Sequence, residues 1–158
     1  MKRLLSRVLM TTPSVPAAIA RIVVGGVILP HGLQKTLGWF GGSGLEGTLS
    51  YFTGTMHLPW IVAVAVVAAE SVGAVLLLLG VATRVAAAGI ASVMLGAVLT
   101  THVSHGFFMN WFGQQSGEGF EFHLVVLGLC AVSLVAGGGW GSVDGRLLKL
   151  ADRHQPET

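Results

Sequence analysis

Runs of apolar residues separated by short polar or glycine-rich stretches divide the 158-residue chain into four segments, at about 16–37, 59–79, 85–103 and 122–136. A bilayer core about 30 Å thick is crossed by about 20 apolar residues rising 1.5 Å each, so the second segment is long enough to span it. The first is interrupted by Arg21 and by Pro30-His31-Gly32, where a proline without a backbone N–H predicts a kink. The third carries Ala88, Ser92 and Gly96 at four-residue spacing, a stripe expected to pack closely against a neighbouring helix. The fourth ends in Gly137-Gly138-Gly139, whose conformational freedom stops a helix. The predicted fold is all-α, an integral membrane four-helix bundle made by one domain over residues 1–158. No internal repeat or separate soluble domain breaks this pattern.

Composition agrees. Hydrophobic residues make up 53% of the chain and charged residues 10%, with a mean hydropathy of +0.76. A pI near 9.1 would suit nucleic acid, but the net charge is only +2 and the basic residues are dispersed among apolar spans, which argues against it. Cys130 is the single cysteine, so no intrachain disulfide, C-x-x-C relay or cysteine metal site can form, and redox work would need another electron carrier. Met1 to Met10 is basic, but Thr11 to Pro16 breaks a signal-peptide core before Arg21, so the N-terminus is read as mature protein.

Charge then orients the spans. Lys2, Arg3, Arg7, Arg84, Arg146, Lys149 and Arg153 fall on one side of a four-span arrangement and Lys35 on the other, which predicts cytoplasmic termini. The aromatics and His31, His57, His102, His105 and His123 gather at the outer end, leaving Trp140 and His154 inside.

Ionisable residues within spans are costly and usually face a bundle interior. Helix-rise arithmetic leaves roughly 6 Å of depth between Arg21 and Glu70, a gap a guanidinium can cover, so a structural ion pair between them is expected. Glu70 also has the makings of a proton-handling carboxylate. At the outer end His31 and Lys35 are four apart and His102 and His105 three apart, so each pair can point inward from one helix face. Glu121 and His123 are turned about 200° apart on a helix, which directs one to the bundle and one to the interface. Three uses suit this outer group: interhelical hydrogen bonds, a metal site, or a pocket for a polar-headed lipophile such as a quinone. Lys35 opposes a cation and no metal signature is complete, so no metal is assigned. Gly41-Gly42-Ser43-Gly44 lacks the Lys-Ser or Lys-Thr of a phosphate loop and is read as a flexible connection, and Cys130 as a core residue.

In order along the chain, Arg21, Leu29-Pro30-His31-Gly32-Leu33-Gln34-Lys35, Glu70, Leu79-Gly80, Arg84, His102, Gly106-Phe107-Phe108, Glu121-Phe122-His123-Leu124 and Ser142-Val143-Asp144 resemble the DoxX family of small four-span membrane proteins. The resemblance implies a multi-pass protein of the bacterial cytoplasmic (inner) membrane. It also implies a link to quinone-coupled oxidation of sulfur compounds or to membrane complexes handling oxidative stress. The expected function is a redox-associated subunit lending a quinone-facing or proton-handling site to a larger oxidoreductase. In that reading His31, Lys35, His102 and His105 hold the cofactor, and Glu70, His31 and His102 act on it. The competing reading is a non-catalytic scaffold or assembly factor that recruits a redox or stress-related partner through its outer loops. Self-association is compatible with both, and a transporter is disfavoured for want of an inverted repeat.

Overall fold

The computed structural model describes residues 9–153, with side chains described for residues 9–150. Lys2, Arg3, Arg7 and His154, which enter the orientation argument, lie outside the described residues, as does the side chain of Arg153. Every regular element among the described residues is helical. Helix α1 is Val15–Leu37, α2 is Gly44–Ser50 with a π turn at Tyr51–Thr55, α3 is Trp60–Leu79, α4 is Thr83–His105, α5 is Glu121–Ala136 and α6 is Val143–Arg153. Helices α1, α3 and α4 are each long and apolar enough to cross a membrane, and α5 is a shorter apolar helix of 16 residues.

Helix α1 runs uninterrupted through Pro30, which stands within it. Ser14 caps its start, accepting the Ala17 N–H, and Gly38 ends it in the left-handed conformation that a side chain would penalise. Two further glycines let α1 and α3 touch backbone to backbone. A Cβ on Gly25 would lie 2.8 Å from the Ala74 carbonyl oxygen, and one on Gly32 would lie 2.5 Å from that of Glu70. Such close approach is how helices associate when lipid supplies no hydrophobic drive between them.

The apolar core fills one half of the molecule. Val24, Ile28, Ala74, Leu77, Ala87, Ile90, Val126 and Cys130 interlock there, and α5 packs along α4 and α1. This half ends at a basic pole, where α1 begins, α3 ends, α4 begins and α5 ends.

A polar lock closes that pole. Arg21 is 3% exposed; its Nε donates to the Gly138 carbonyl (2.6 Å), Nη1 to those of Leu77 (2.9 Å) and Leu78 (2.6 Å), and Nη2 to that of Trp140 (3.4 Å). It thereby satisfies carbonyls at the C-terminal end of α3, where Gly80 N also reaches that of Leu77 (3.1 Å), and in the glycine loop after α5. Asp144 does the converse for α4: its carboxylate accepts from the Ala82 and Thr83 N–H groups (2.8 and 2.9 Å) and the Thr83 hydroxyl (2.8 Å). Arg84 donates to the Val135 carbonyl near the end of α5 (2.8 Å). Arg21, Gly80, Arg84 and the Ser142-Val143-Asp144 run are thus architectural, joining the ends of four helices.

The expected Arg21 to Glu70 pair does not form. Cα–Cβ bonds lean toward a helix N-terminus. Arg21 on α1 therefore leans to the basic pole, whereas Glu70 on the oppositely directed α3 leans away from it. The two side chains diverge, and helix-end carbonyls take the guanidinium.

Candidate functional site

Beyond the core, toward the opposite pole, the helices part. Helix α4 packs on the Ala69–Leu79 portion of α3, while the Trp60–Ala68 portion packs chiefly on α1 and α2. The divergence opens a cavity of about 670 Å³, a size within the usual range for small-molecule sites. Three π turns border it, contributing Tyr51 and Phe52 from Tyr51–Thr55, Glu70 from Ala69–Gly73, and Thr100 and His102 from Val98–His102. A π turn holds one residue more than an α turn, which shifts the side-chain register beyond it and often marks functional sites.

The cavity is polar at one end. Lys35, Glu70, His31, His102 and His123 line it together. Glu70 is 5% exposed and its Oε2 lies 2.5 Å from Lys35 Nζ. Lys35 is about 21 Å along α1 from Arg21. Leaning back toward its own N-terminus, it meets Glu70 leaning out toward the histidines, with Gly32 holding the two backbones close. A buried charge requires a partner, and Lys35 is the one within reach.

The imidazoles stand beside this pair. The His102 and His123 ring centroids are 4.1 Å apart, and His31 lies 6.2 Å from the Phe122 ring. His102 Nδ1 is 2.8 Å from the Glu118 carbonyl oxygen, which can only accept. Nδ1 therefore carries the hydrogen, and in neutral His102 Nε2 is the free acceptor. His123 is 6% exposed, faces the cavity and has no hydrogen-bond partner at Nδ1. Among the described residues no three His, Cys, Asp or Glu side chains are grouped as metal ligands.

Two expectations need correction. His105 does not line the cavity: it sits against Gly117, one 3₁₀ turn beyond His102, because three residues of spacing keep a face but change depth by about 6 Å. Gly96 and Ser92 do not seat a neighbouring helix. They line the cavity, with nothing within 4 Å of a Cβ built on Gly96, and Ala88 is exposed. His57, grouped with the outer histidines but not with the site residues, is exposed on the loop between α2 and α3 and does not line the cavity. Glu121 and His123 do face opposite ways: Glu121 Oε1 accepts from Met109 N and Trp111 Nε1, both at 3.1 Å, while His123 turns inward. His123 belongs with the candidate residues. Its place at the start of an apolar segment was visible in the sequence, but its inward face was not.

Residues 17–103 match the family model described as DoxX. A Bacillus subtilis relative named "Putative oxidoreductase CatD" is 33% identical over 92 residues, which are 58% of this chain and 63% of that protein. The match thus spans less than two thirds of that relative. No solved structure matches the chain.

Proposed function

The chain belongs to the DoxX family, and on that premise we propose that it is a four-span subunit of a redox complex in the bacterial cytoplasmic membrane whose cavity receives a quinone-type lipophile. One observation carries the reading: a single cavity of about 670 Å³ brings together Lys35, Glu70, His31, His102 and His123 with an apolar lining that includes Val62, Ala65, Val66 and Val93. A quinone ring needs donors to its carbonyl oxygens and a proton source when reduced; Lys35 and the imidazoles of His31 and His123 offer the first, and the pair of Lys35 and Glu70 offers the second, with His102 passing on a proton it has first taken up at Nε2. Electrons would come from a carrier on a partner protein, since Cys130 is buried in the core. The relative's name, an oxidoreductase, is consistent with this reading.

The four-span reading rests on α5. Although it has 16 residues, its His123 meets His102 at one end and Val135 meets Arg84 at the other, so it covers the depth between Arg84 and His102 on α4. With Arg84, Arg146 and Lys149 on the basic pole, that pole is assigned to the cytoplasm. Cysteines introduced at Ser43 or Gln115 should react with an impermeant thiol reagent applied from outside, and one at Lys149 should not. Reversed labelling would sink the orientation.

For the site itself, His102→Ala and Lys35→Ala are expected to weaken quinone-analogue binding about tenfold each, the loss of one good polar contact, in protein that remains folded. Titration of the purified variants checks this. A scaffold role is the second reading, favoured by Trp111 and Phe112, which are 78% and 87% exposed on the loop before α5. It takes precedence if the wild-type protein neither binds a quinone analogue nor supports quinone reduction with its native partner present.

A further inference from the structure

The apolar part of the cavity is a slot with an open side. Ala65 on α3 and Ser92 and Thr100 on α4 both line it and are exposed, so it opens laterally between the two helices, where a bilayer would place acyl chains. Its α4 wall is low around Gly96, where a Cβ would meet nothing within 4 Å, and Ser92 one turn earlier donates its hydroxyl to the Ala88 carbonyl (2.9 Å) and so presents little free polarity. Beside His102 stands His123, only 6% exposed, which lines the same space and has Nδ1 unpartnered. A laterally open, mostly apolar wall with a small-residue gap, continuous with an unsatisfied imidazole, suits a hydrocarbon tail beside a head-group site.

Charge selects the head group. The charged residues lining the cavity are Lys35, Glu70 and Glu118. Lys35 is engaged by Glu70, and Glu118, at the rim, accepts from Asn110 N through Oε2 (2.7 Å). An anionic head group would have to take Lys35 from Glu70 and strand a buried carboxylate, a costly exchange. An uncharged ring with carbonyl or hydroxyl groups asks for no such exchange.

We infer, building on the reading of the cavity as a quinone-type site, that the slot between α3 and α4 is a lateral entrance and tail groove, specific for lipophiles with an uncharged head group and a linear hydrocarbon tail lying over Ser92 and Gly96. Because the tail moves from lipid and not from water, its gain is packing alone, and the effect is on the order of tenfold.

The test uses the full chain in phosphatidylcholine nanodiscs, with affinities referred to the lipid-phase concentration. Three probes are compared: a benzoquinone with a decyl tail, the same ring with a methyl group, and decanoate. The wild-type protein is expected to prefer the decyl over the methyl probe about tenfold and to bind decanoate weakly. Gly96→Leu, whose side chain enters open space, and Ser92→Leu should both abolish the tail preference while leaving methyl-probe binding unchanged, which also shows that the variants fold. An unchanged preference in both variants overturns the groove and leaves the head-group site standing. Decanoate competing as well as the decyl probe overturns the neutral-head selectivity. Loss of a dimer in either variant without loss of tail preference would make the slot a contact between copies of the chain and overturn the inference. Failure of the wild type to bind even the methyl probe removes the site and the groove together.

Discussion

Arg21→Ala is expected to destabilise the protein by about 3 kcal/mol or more, because it strips buried helix-end and loop carbonyls of the side chain that donates to them. The guanidinium donates to the carbonyls of Leu77, Leu78, Gly138 and Trp140, and of these that of Leu77 also accepts from Gly80 N (3.1 Å). Arg21→Lys should rescue little, since an ammonium on a flexible stem cannot place three nitrogens in the plane of a guanidinium. Unfolding followed in mild detergent by heat or denaturant, with helix content as the signal, measures the loss. A decisive check is the cycle with Glu70: losses from Arg21→Ala and Glu70→Gln should add within about 0.5 kcal/mol, as for residues that share no partner. Strong coupling between them would mean that they do pair, and would refute the lock as described.

Coupling should instead appear between Lys35 and Glu70. Either Lys35→Met or Glu70→Gln alone leaves a charge without its partner in a site where Glu70 is 5% exposed, and each is expected to cost on the order of 2–3 kcal/mol. The double variant should cost clearly less than the sum, with an interaction energy of about 1–3 kcal/mol. The same set of proteins separates structure from function. If the pair serves only to hold α1 to α3, the double variant should bind quinone analogues as well as the wild type. If it handles protons for a bound quinone, the double variant should fold and fail to support quinone reduction. Additive stability losses would show that the close contact of Nζ and Oε2 contributes nothing net, as many ion pairs do when desolvation cancels attraction.

These two side chains also show where sequence reading reached its limit. That Arg21 and Glu70 each needed a partner followed from their setting among apolar residues. Which partner each took did not follow from depth alone. Depth arithmetic treated each side chain as a point at the height of its Cα, but side chains lean toward their own helix N-terminus, so residues on antiparallel helices converge or diverge according to order. Arg21 lies on the diverging side of Glu70 and Lys35 on the converging side. The same directionality was available for the histidines: one turn of spacing kept His102 and His105 on one face but put the second beyond the cavity.

Other parts of the site had no sequence signal. The π turns at Tyr51–Thr55, Ala69–Gly73 and Val98–His102 share no residue pattern that marks a π turn: their sequences are YFTGT, AESVG and VLTTH. Small residues at Gly89, Ser92 and Gly96 permit a close helix contact or an open slot, and the outcome depends on whether a second helix is steered onto them. Here the outer half of α3 is drawn to α1 and α2, and the slot stays open.

The sequence by itself determined a membrane protein of apolar helices, the family to which it belongs, and the small set of polar residues able to do chemistry, because hydrophobic length, the cost of buried charge and residue order are properties of the chain alone. Only the tertiary structure decided which of those residues meet. It sent Arg21 to the helix ends, Glu70 to Lys35, His123 inward and His105 past the cavity, because partner choice depends on helix direction, turn register and the places where helices part, and these are set jointly by segments far apart in the chain.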